Sequence, residues 1–415
     1  MGTEVAAAAS RPSGFRAPLP RLILAEGVSV AGDWLLFAAA SIAVFARTDS
    51  TIAVSVLWAF VALPTVVLGP LAGAIADRHS RRAVMVTADL TSALVLLACV
   101  PIELAGYRMA AVYSSVFVVN VLATFHRPAS EALLPDLASE ANIGRANSGL
   151  RMATRLAMII GPVAASVLTT SGSFLLVLCV DSASFATSAL LLATISARPG
   201  PAGGSSHSPF RSAIEGLRYA RRDSRIRTVI VAVSVTMLMA PIVNAGTLAL
   251  VHDALHLPES RYGILLAAEG GGALLLAVAF LYLGPRLRLL PTGSVALAAT
   301  GGSTVVLGLS NGMAMAFAAL VAQGMSVVAL QVAFASYLQR ESADAFRGRV
   351  MSLVSTASSV GALLGLAAAG PVIYVVGVRL AFVIAGGIIC IAAIPVVMLI
   401  LRPHAKIAEA AVDPA

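Results

Sequence analysis

The sequence predicts an all-α polytopic membrane protein with twelve transmembrane helices in two pseudo-symmetric six-helix bundles. Three observations support this prediction: the apolar composition, the number of long apolar runs and an internal repeat. Hydrophobic residues make up 59% and charged residues 12% of the 415 residues, and the mean hydropathy is +0.92. A soluble domain is typically about 25% charged. Half that charge cannot cover a water-facing surface of this size, which excludes soluble enzymes, coiled coils and disordered chains.

Twelve apolar runs are long enough to cross the hydrocarbon core of a bilayer, which takes about 20 helical residues. Their length favours helices over the strands of a membrane barrel, which are about 10 residues long and alternate in polarity. The predicted spans are residues 21–46, 52–76, 84–105, 109–126, 145–170, 173–196, 225–252, 260–284, 290–310, 313–338, 349–376 and 379–401.

The basic residues predict which helix ends face the cytoplasm. With an internal N-terminus, 24 of the 28 lysine and arginine residues fall in or beside the inner loops, and 4 in or beside the outer loops. Positive charge is retained on the cytoplasmic side of a membrane. The sequence therefore predicts that both termini are cytoplasmic, in the inner (plasma) membrane of a prokaryotic cell.

The connections between the spans predict five segments along the chain. The longest polar connection opens with a flexible Gly, Pro and Ser composition and continues with a short amphipathic stretch, which we expect to lie in the membrane interface. The segments are an N-terminal arm (1–20), a six-helix bundle (21–196), a cytoplasmic linker with the amphipathic helix (197–224), a second bundle (225–401) and a tail (402–415).

The two halves share a pattern at an offset of 204 residues. A Gly-Arg pair and a serine precede span 5 and recur 204 positions later before span 11. Small residues also recur every fourth position along both spans, including Gly161 in span 5, and Gly361 and Gly365 in span 11. Such a strip lets another backbone approach closely. We expect spans 5 and 11 to be equivalent helices, each sliding or rocking against the opposite half during alternating access.

No cofactor, metal or nucleic-acid site is predicted. The three cysteines lie inside apolar runs, and no His, Cys or acidic residues are spaced as in a metal site. His126, His252 and His256 lie near span ends, where solvated or capping histidines are expected. The arginines are spread over short loops and form no continuous basic stripe.

The loop between spans 2 and 3 carries a compact charged motif, Gly73-Ala74-Ile75-Ala76-Asp77-Arg78-His79-Ser80-Arg81-Arg82. It resembles the loop 2–3 signature of the major facilitator superfamily, G-x-x-x-D-R-x-G-R-R, with Ser80 in place of the second glycine. The matching residues are Gly73, Asp77, Arg78, Arg81 and Arg82.

This resemblance implies a cytoplasmic latch. In the family, the acid matching Asp77 lies near the N-terminal end of span 11, where the helix dipole favours a negative charge. The arginine matching Arg81 pairs with an acid near the end of span 4, for which Asp136 is the candidate. This cluster stabilises the outward-facing state. The equivalent loop of the second half, residues 284–288, lacks the acid, so we expect an asymmetric latch.

Three further segments resemble exporters of the superfamily. Gly161-Pro162 occupies the middle of span 5, where the exporter motif reads G-P-x-x-G-G, although alanine and serine replace its last two glycines. Gly32-Asp33 in span 1 and residues 127–136 after span 4 resemble the branch that includes macrolide and siderophore (enterobactin-type) exporters.

Several ionisable residues fall deep in the predicted spans, where a charge is costly and functional by default. Asp33 is near the midplane in span 1, and we expect it to carry the proton, with Glu26 and Glu269 as further candidates. The alternative is a fixed ion pair of Asp33 with Arg155 or Arg151 that holds the bundle together. The candidates for the substrate cavity are Arg155, Arg151 and Asp181. For Asp181 and Asp89, structural hydrogen bonding is the alternative.

These observations predict a secondary active transporter that exports a small amphipathic compound, such as a drug, macrolide or siderophore-like molecule, by alternating access and proton antiport. The expected partners are that compound, protons and the lipid bilayer, and the expected state is a monomer. The alternatives are an importer or a lipid-handling member of the same superfamily. A membrane-embedded receptor or enzyme is the alternative from a different class, but no constellation of catalytic residues supports an enzyme.

Overall fold

A computed structural model describes residues 18–138, 142–171, 173–195, 218, 221, 223–283, 288–342 and 344–401. Twelve helices in this part of the chain are long and apolar enough to cross a membrane. The described residues contain no β-strand. The predicted fold class is therefore confirmed.

The helices follow the predicted spans closely, and several extend beyond them. They are α1 (Pro18–Thr48), α2 (Thr51–Arg78), α3 (Arg81–Leu104), α4 (Arg108–Leu137), α5 (Ile143–Leu168), α6 (Phe174–Ala193), α7 (Ser224–Ala249), α8 (Arg261–Leu283), α9 (Leu289–Gly308), α10 (Met313–Glu341), α11 (Asp344–Val376) and α12 (Val378–Leu401). A π-helical turn, Leu250–Ala254, extends α7.

Short connections separate neighbouring helices, and polar side chains begin two of them. Ser50 accepts a hydrogen bond from the backbone N–H of Ala53 at 3.3 Å and so caps the N-terminus of α2. Ser80 does the same for α3 through Ala83, at 3.5 Å. The serine that replaces the second glycine of the loop motif therefore serves as a helix cap.

The chain divides into two compact units. Unit 1 contains the described residues of 1–206 and 247–274, and unit 2 those of 207–246 and 275–401. Residues 247–274 belong to the second half by sequence but pack in unit 1, where His252 stacks edge-on against Phe45 at 5.3 Å. The two bundles predicted from the sequence remain a proposal, and they differ from these units only in this segment.

Glycines allow two helix pairs to approach closely, one in each unit. A Cβ at Gly161 of α5 would lie 2.5 Å from the carbonyl oxygen of Ala31 and 2.7 Å from Trp34 Cβ, both in α1. A Cβ at Gly365 of α11 would overlap with the carbonyl oxygen of Leu238 in α7. Trp34 and Leu238 are also 204 positions apart, so the repeat extends to the packing partners.

This packing corrects one expectation. The small-residue strips were expected to face the opposite half, but Gly161 packs on α1, and Gly361 and Gly365 pack on α7. Each strip therefore joins the first and fifth helices of its own half. The sequence periodicity indicates that a backbone approaches closely, but it carries no information on which helix approaches.

Several expectations lie outside the described residues. They are the N-terminal arm up to residue 17, the amphipathic stretch of the linker within residues 197–217, the second-half loop at 284–287 and the tail from residue 402. Asp77 lies in the last turn of α2, but its side chain is not among those described.

Candidate functional site

The candidate site is a group of ionisable side chains inside unit 1. Asp33 lies at the centre of α1, fifteen residues from either end of the helix. Its Oδ1 atom is buried and has no hydrogen-bond partner among the described residues. The ionisable groups that influence Asp33 electrostatically include Arg127, His126, Asp89 and Glu26, and Asp181 of α6.

The sequence suggested Arg155 or Arg151 as the ion-pair partner of Asp33. Neither Arg155 nor Arg151 is among the charged groups that act on Asp33, whereas Arg127 of α4 is. Arg127 was noted in the sequence only as part of a segment resembling exporters. Arg127 lies ten residues from the C-terminal end of a helix thirty residues long, although the predicted span ended one residue before it.

His126 lies between two carboxylates that come from different helices. Its Nδ1 atom is 3.5 Å from Glu26 Oε1 of α1, and its Nε2 atom is 3.3 Å from Asp89 Oδ1 of α3. Ser188 of α6 donates a hydrogen bond to the other oxygen of Asp89 at 2.6 Å. We call these four residues, Glu26, His126, Asp89 and Ser188, the imidazole row.

The imidazole row corrects the expectation for His126. The side chain was expected to be solvated or to cap a helix, but only 7% of the residue is exposed, as is 7% of Glu26 and 1% of Asp89. Span 4 was predicted to end at residue 126, whereas α4 continues to Leu137. The prediction missed this continuation because the segment after residue 126 is polar. A span predicted from hydropathy ends where such a segment begins.

Asp181 of α6 faces α1 beside Asp33. Ser184 donates a hydrogen bond to Asp181 Oδ1 at 3.0 Å, while Oδ2 is buried and has no hydrogen-bond partner in the described part of the chain. A Cβ at position 32 would overlap with Asp181 Oδ1 and Ser184 Oγ. Gly32 therefore lets the polar face of α6 reach α1 at the level of Asp33.

Arg155 and Glu269 form a second charged group in unit 1. The two side chains attract each other electrostatically, and Arg151 repels Arg155 from one turn away. Arg155 Nη1 also lies 3.6 Å from Met158 Sδ. A Cβ at Gly270 would lie 3.0 Å from the carbonyl oxygen of Met158, so α8 approaches α5 closely near these two residues.

The arginines of the loop motif join helix ends at the α2–α3 turn. Arg81 Nη1 donates to Asp136 Oδ2 at 2.7 Å and to the carbonyl oxygen of Ala132 at 2.9 Å. Arg82 donates to the carbonyl oxygens of Leu192, at 3.1 Å, and Ala193. A cation is favourable at a helix C-terminus, where carbonyl groups lack intrahelical partners. The two side chains therefore fix the C-terminal ends of α4 and α6.

An exposed cluster at the other end of unit 1 was not expected from the sequence. Possible ligand atoms of Asp49, His252 and Asp253 lie within 4.8 Å of one another. His252 Nδ1 is also 2.9 Å from Glu259 Oε1. Sequence spacing could not predict this cluster, because Asp49 follows α1 whereas His252 and Asp253 lie in the π-helical turn after α7.

The family of the chain follows from its similarity to known proteins. The sequence profile of the Major Facilitator Superfamily matches residues 22–342 and 242–413. The chain belongs to this superfamily. The protein is therefore a transporter and not an enzyme.

Relatives and solved structures agree with this assignment. The chain is 26% identical over 382 residues to the uncharacterized MFS-type transporter YfiS of Bacillus subtilis (strain 168), covering 89% of each chain. It is 25% identical over 413 residues to the multidrug efflux pump Tap of Mycobacterium tuberculosis (strain ATCC 25618 / H37Rv), covering 96% of this chain and 97% of the pump. The crystal structure of the nucleoside transporter NupG has the same fold, with a TM-score of 0.73 at 12% identity, over 93% of this chain and 100% of NupG.

The Arg81–Asp136 pair of this superfamily member gives a modest stability prediction. The side chains are 22% and 27% exposed, so solvent weakens the attraction, and we expect Asp136→Asn to lower the free energy of unfolding by about 1 kcal/mol or less. The check is a double-mutant cycle with Arg81→Gln, read as thermal unfolding in detergent. Arg78→Gln, at an exposed arginine of the same motif, is the matched control. Strictly additive effects at positions 81 and 136 would show that the pair contributes nothing.

Proposed function

We propose that the protein exports a small amphipathic compound in exchange for protons, and that Asp33 is the carboxyl group that binds the proton. The observation that carries this proposal is the buried, unpartnered Oδ1 atom of Asp33 in the middle of α1. A buried carboxylate oxygen without a hydrogen-bond donor disfavours the charged form, and protonation removes the charge. Such a group binds a proton when it is enclosed and releases it when water reaches it.

The surroundings of Asp33 support an exchange of protons and substrate rather than a permanent ion pair. Arg127 attracts the carboxylate, while Asp89 and Glu26 repel it, and Asp181 adds a further buried carboxyl group nearby. Opposing influences of this kind leave the balance between the charged and neutral forms sensitive to a bound ligand. A cationic or polar substrate group near Asp33 and Asp181 would displace the proton.

The direction of transport is proposed from the exporter-like segments and from the relation to Tap, which is named a multidrug efflux pump. The loop motif is proposed to act as a latch at the α2–α3 turn. Gly73 lies near the end of α2, and the Arg81–Asp136 ion pair connects the start of α3 to α4. We place this end and both termini in the cytoplasm, with the protein in the inner membrane of a prokaryotic cell as a monomer. Glu269 is the second proposed proton-binding carboxyl group.

The test is transport in proteoliposomes under an imposed proton gradient, with a panel of antibiotics, dyes and siderophores. We expect the wild-type protein to move at least one compound against its gradient. Asp33→Asn, which keeps the shape and removes the titration, should reduce this flux at least about tenfold, an effect of roughly 1.4 kcal/mol. Exchange of substrate for substrate, which moves no net proton, should continue.

Asp49→Asn is the matched control, because it makes the same change at an exposed position. Asp49 has a φ of 46°, and asparagine tolerates this left-handed conformation as well as aspartate does. Full gradient-driven flux in Asp33→Asn would refute the role of Asp33. Uptake driven in the opposite direction by the same gradient would identify an importer instead.

A further inference from the structure

The geometry of the imidazole row favours one proton more than a neutral imidazole and two ionised carboxylates would carry. A neutral imidazole has one N–H donor and one lone pair. His126 faces a carboxylate oxygen on each side, at 3.5 Å and 3.3 Å. Neither contact has the geometry of a hydrogen bond, since Glu26 Oε1 and His126 Nε2 are both buried without a hydrogen-bond partner among the described residues. If both carboxylates are ionised and the imidazole is neutral, one nitrogen lone pair of His126 lies beside an anionic oxygen. In a buried site this repulsion is weakly screened.

Two arrangements remove the repulsion. In the first, His126 is an imidazolium ion that directs one N–H at Glu26 and the other at Asp89, both of which are ionised. In the second, His126 is neutral and one of the two carboxyl groups is protonated, so that its O–H points at the imidazole lone pair. Both arrangements contain the same number of protons and carry one net negative charge. They therefore differ only in where one proton lies.

We propose that Glu26, His126 and Asp89 form a proton relay, with His126 as its essential central member. The proposal rests on the proton-coupled transport proposed above and adds the path of the proton. In one passage, the O–H bond of Glu26 breaks and an Nδ1–H bond forms on His126. The Nε2–H bond of His126 then breaks and an O–H bond forms on Asp89. One proton has moved from Glu26 to Asp89, and the imidazole has exchanged one tautomer for the other.

The position of the row within unit 1 gives the relay its two ends. Glu26 and Asp89 each lie eight residues from the helix end at the α2–α3 turn, and Ser188 lies five residues from it. Asp33 is fifteen residues from that end of α1. At 1.5 Å per helical residue, the row lies between Asp33 and the end proposed to face the cytoplasm, so a proton leaving Asp33 in that direction meets the row.

The charge of Asp33 decides where the proton rests in the row. Asp33, Glu26 and Asp89 all act electrostatically on His126, and Arg127 acts on Asp33. An ionised Asp33 adds negative potential and favours the imidazolium form. A neutral Asp33 removes it and favours a neutral imidazole beside a protonated carboxyl group. Ser188 bonds one oxygen of Asp89 and so holds the other toward the imidazole.

The first test reads the protonation of His126 directly and needs no transport. The six histidines are labelled with nitrogen-15 in otherwise unlabelled protein, and the His126 signals are those that His126→Gln removes. We expect imidazolium shifts for His126 in the wild-type protein at a pH high enough to ionise Asp33, and a shift toward the neutral form in Asp33→Asn at the same pH. Two results would overturn the relay: His126 chemical shifts typical of a neutral imidazole in the wild-type protein at that pH, or His126 shifts that are the same in Asp33→Asn.

The second test compares His126→Gln with wild type in proteoliposomes. Glutamine offers a donor and an acceptor but cannot pass a proton on, so gradient-driven flux should fall at least about tenfold while substrate exchange continues. His79→Gln, at an exposed histidine, is the matched control.

Failure of the relay and failure of the proposed function give different results. Normal gradient-driven flux in His126→Gln, with loss in Asp33→Asn, overturns the relay and leaves the proposed function standing. Flux that ignores the proton gradient in the wild-type protein overturns the proposed function. If His126→Gln does not fold, the nitrogen-15 comparison of wild type with Asp33→Asn decides, with the histidine signals then assigned through Asp89→Asn.

Discussion

Alanine at position 365 should destabilise the protein, although replacing a helical glycine with alanine normally stabilises a helix by about 1 kcal/mol. The new Cβ would overlap with the carbonyl oxygen of Leu238 in α7 and lie 3.2 Å from Pro241 Cδ. A helix carbonyl cannot turn away without losing its own hydrogen bond, so α11 has to move off α7. Overpacking of this kind costs about 1–3 kcal/mol. We expect a lower midpoint of thermal unfolding in detergent and slower transport in proteoliposomes.

The matched control is Gly387→Ala in α12 of the same unit, where a Cβ would meet nothing within 4 Å. This variant should unfold at the wild-type temperature or slightly above it. Unit 1 offers the same comparison between Gly161→Ala and Gly271→Ala. The Cβ of Gly161→Ala would lie 2.8 Å from the backbone nitrogen of Leu35, whereas that of Gly271→Ala would have no neighbour within 4 Å. Equal stability of Gly365→Ala and Gly387→Ala would contradict the packing argument.

Reversal of either charge in the Arg155–Glu269 pair should reduce transport strongly, and reversal of both should restore most of it. Arg155→Glu sets two carboxylates against each other, and Glu269→Arg sets an arginine against Arg155 with Arg151 one turn away. Both side chains are partly buried, so solvent screens the repulsion between like charges only in part. We expect each single reversal to lower the transport rate at least about tenfold, roughly 1.4 kcal/mol.

The double variant, Arg155→Glu with Glu269→Arg, separates a pair from two independent roles. A rate close to wild type shows that attraction between α5 and α8 is what matters. A double variant as slow as the slower single variant would contradict a structural pair. If the double variant transports neutral compounds but not anionic ones, Arg155 binds anionic substrates in the substrate cavity.

The number and length of the helices were predictable from hydropathy, because a helix that crosses a membrane has to be apolar over most of its length. The ends were less predictable. α4 continues eleven residues past His126 to Leu137, and the prediction ended it there because polar residues follow. These residues are tolerated in the helix because neighbouring helices supply their partners, as Arg81 does for Asp136.

The candidate site was predictable only in part. Asp33, Glu26 and Asp181 stand out in the sequence because charges are rare in apolar runs. Which groups meet was not predictable, since Glu26, Asp89 and His126 come from three helices whose rotation about their own axes is not set by hydropathy. Contacts between the helices decide which polar side chains turn inward.

The sequence by itself determined that this chain crosses the membrane twelve times, that it belongs to the major facilitator superfamily and that it contains a few costly charges at depth. Each of these follows from composition, spacing or a local motif. Only the tertiary structure decided that Gly161 packs on α1 and that His126 lies between two carboxylates. The reason is that contacts between helices depend on rotation and depth, which residues distant in the sequence fix together.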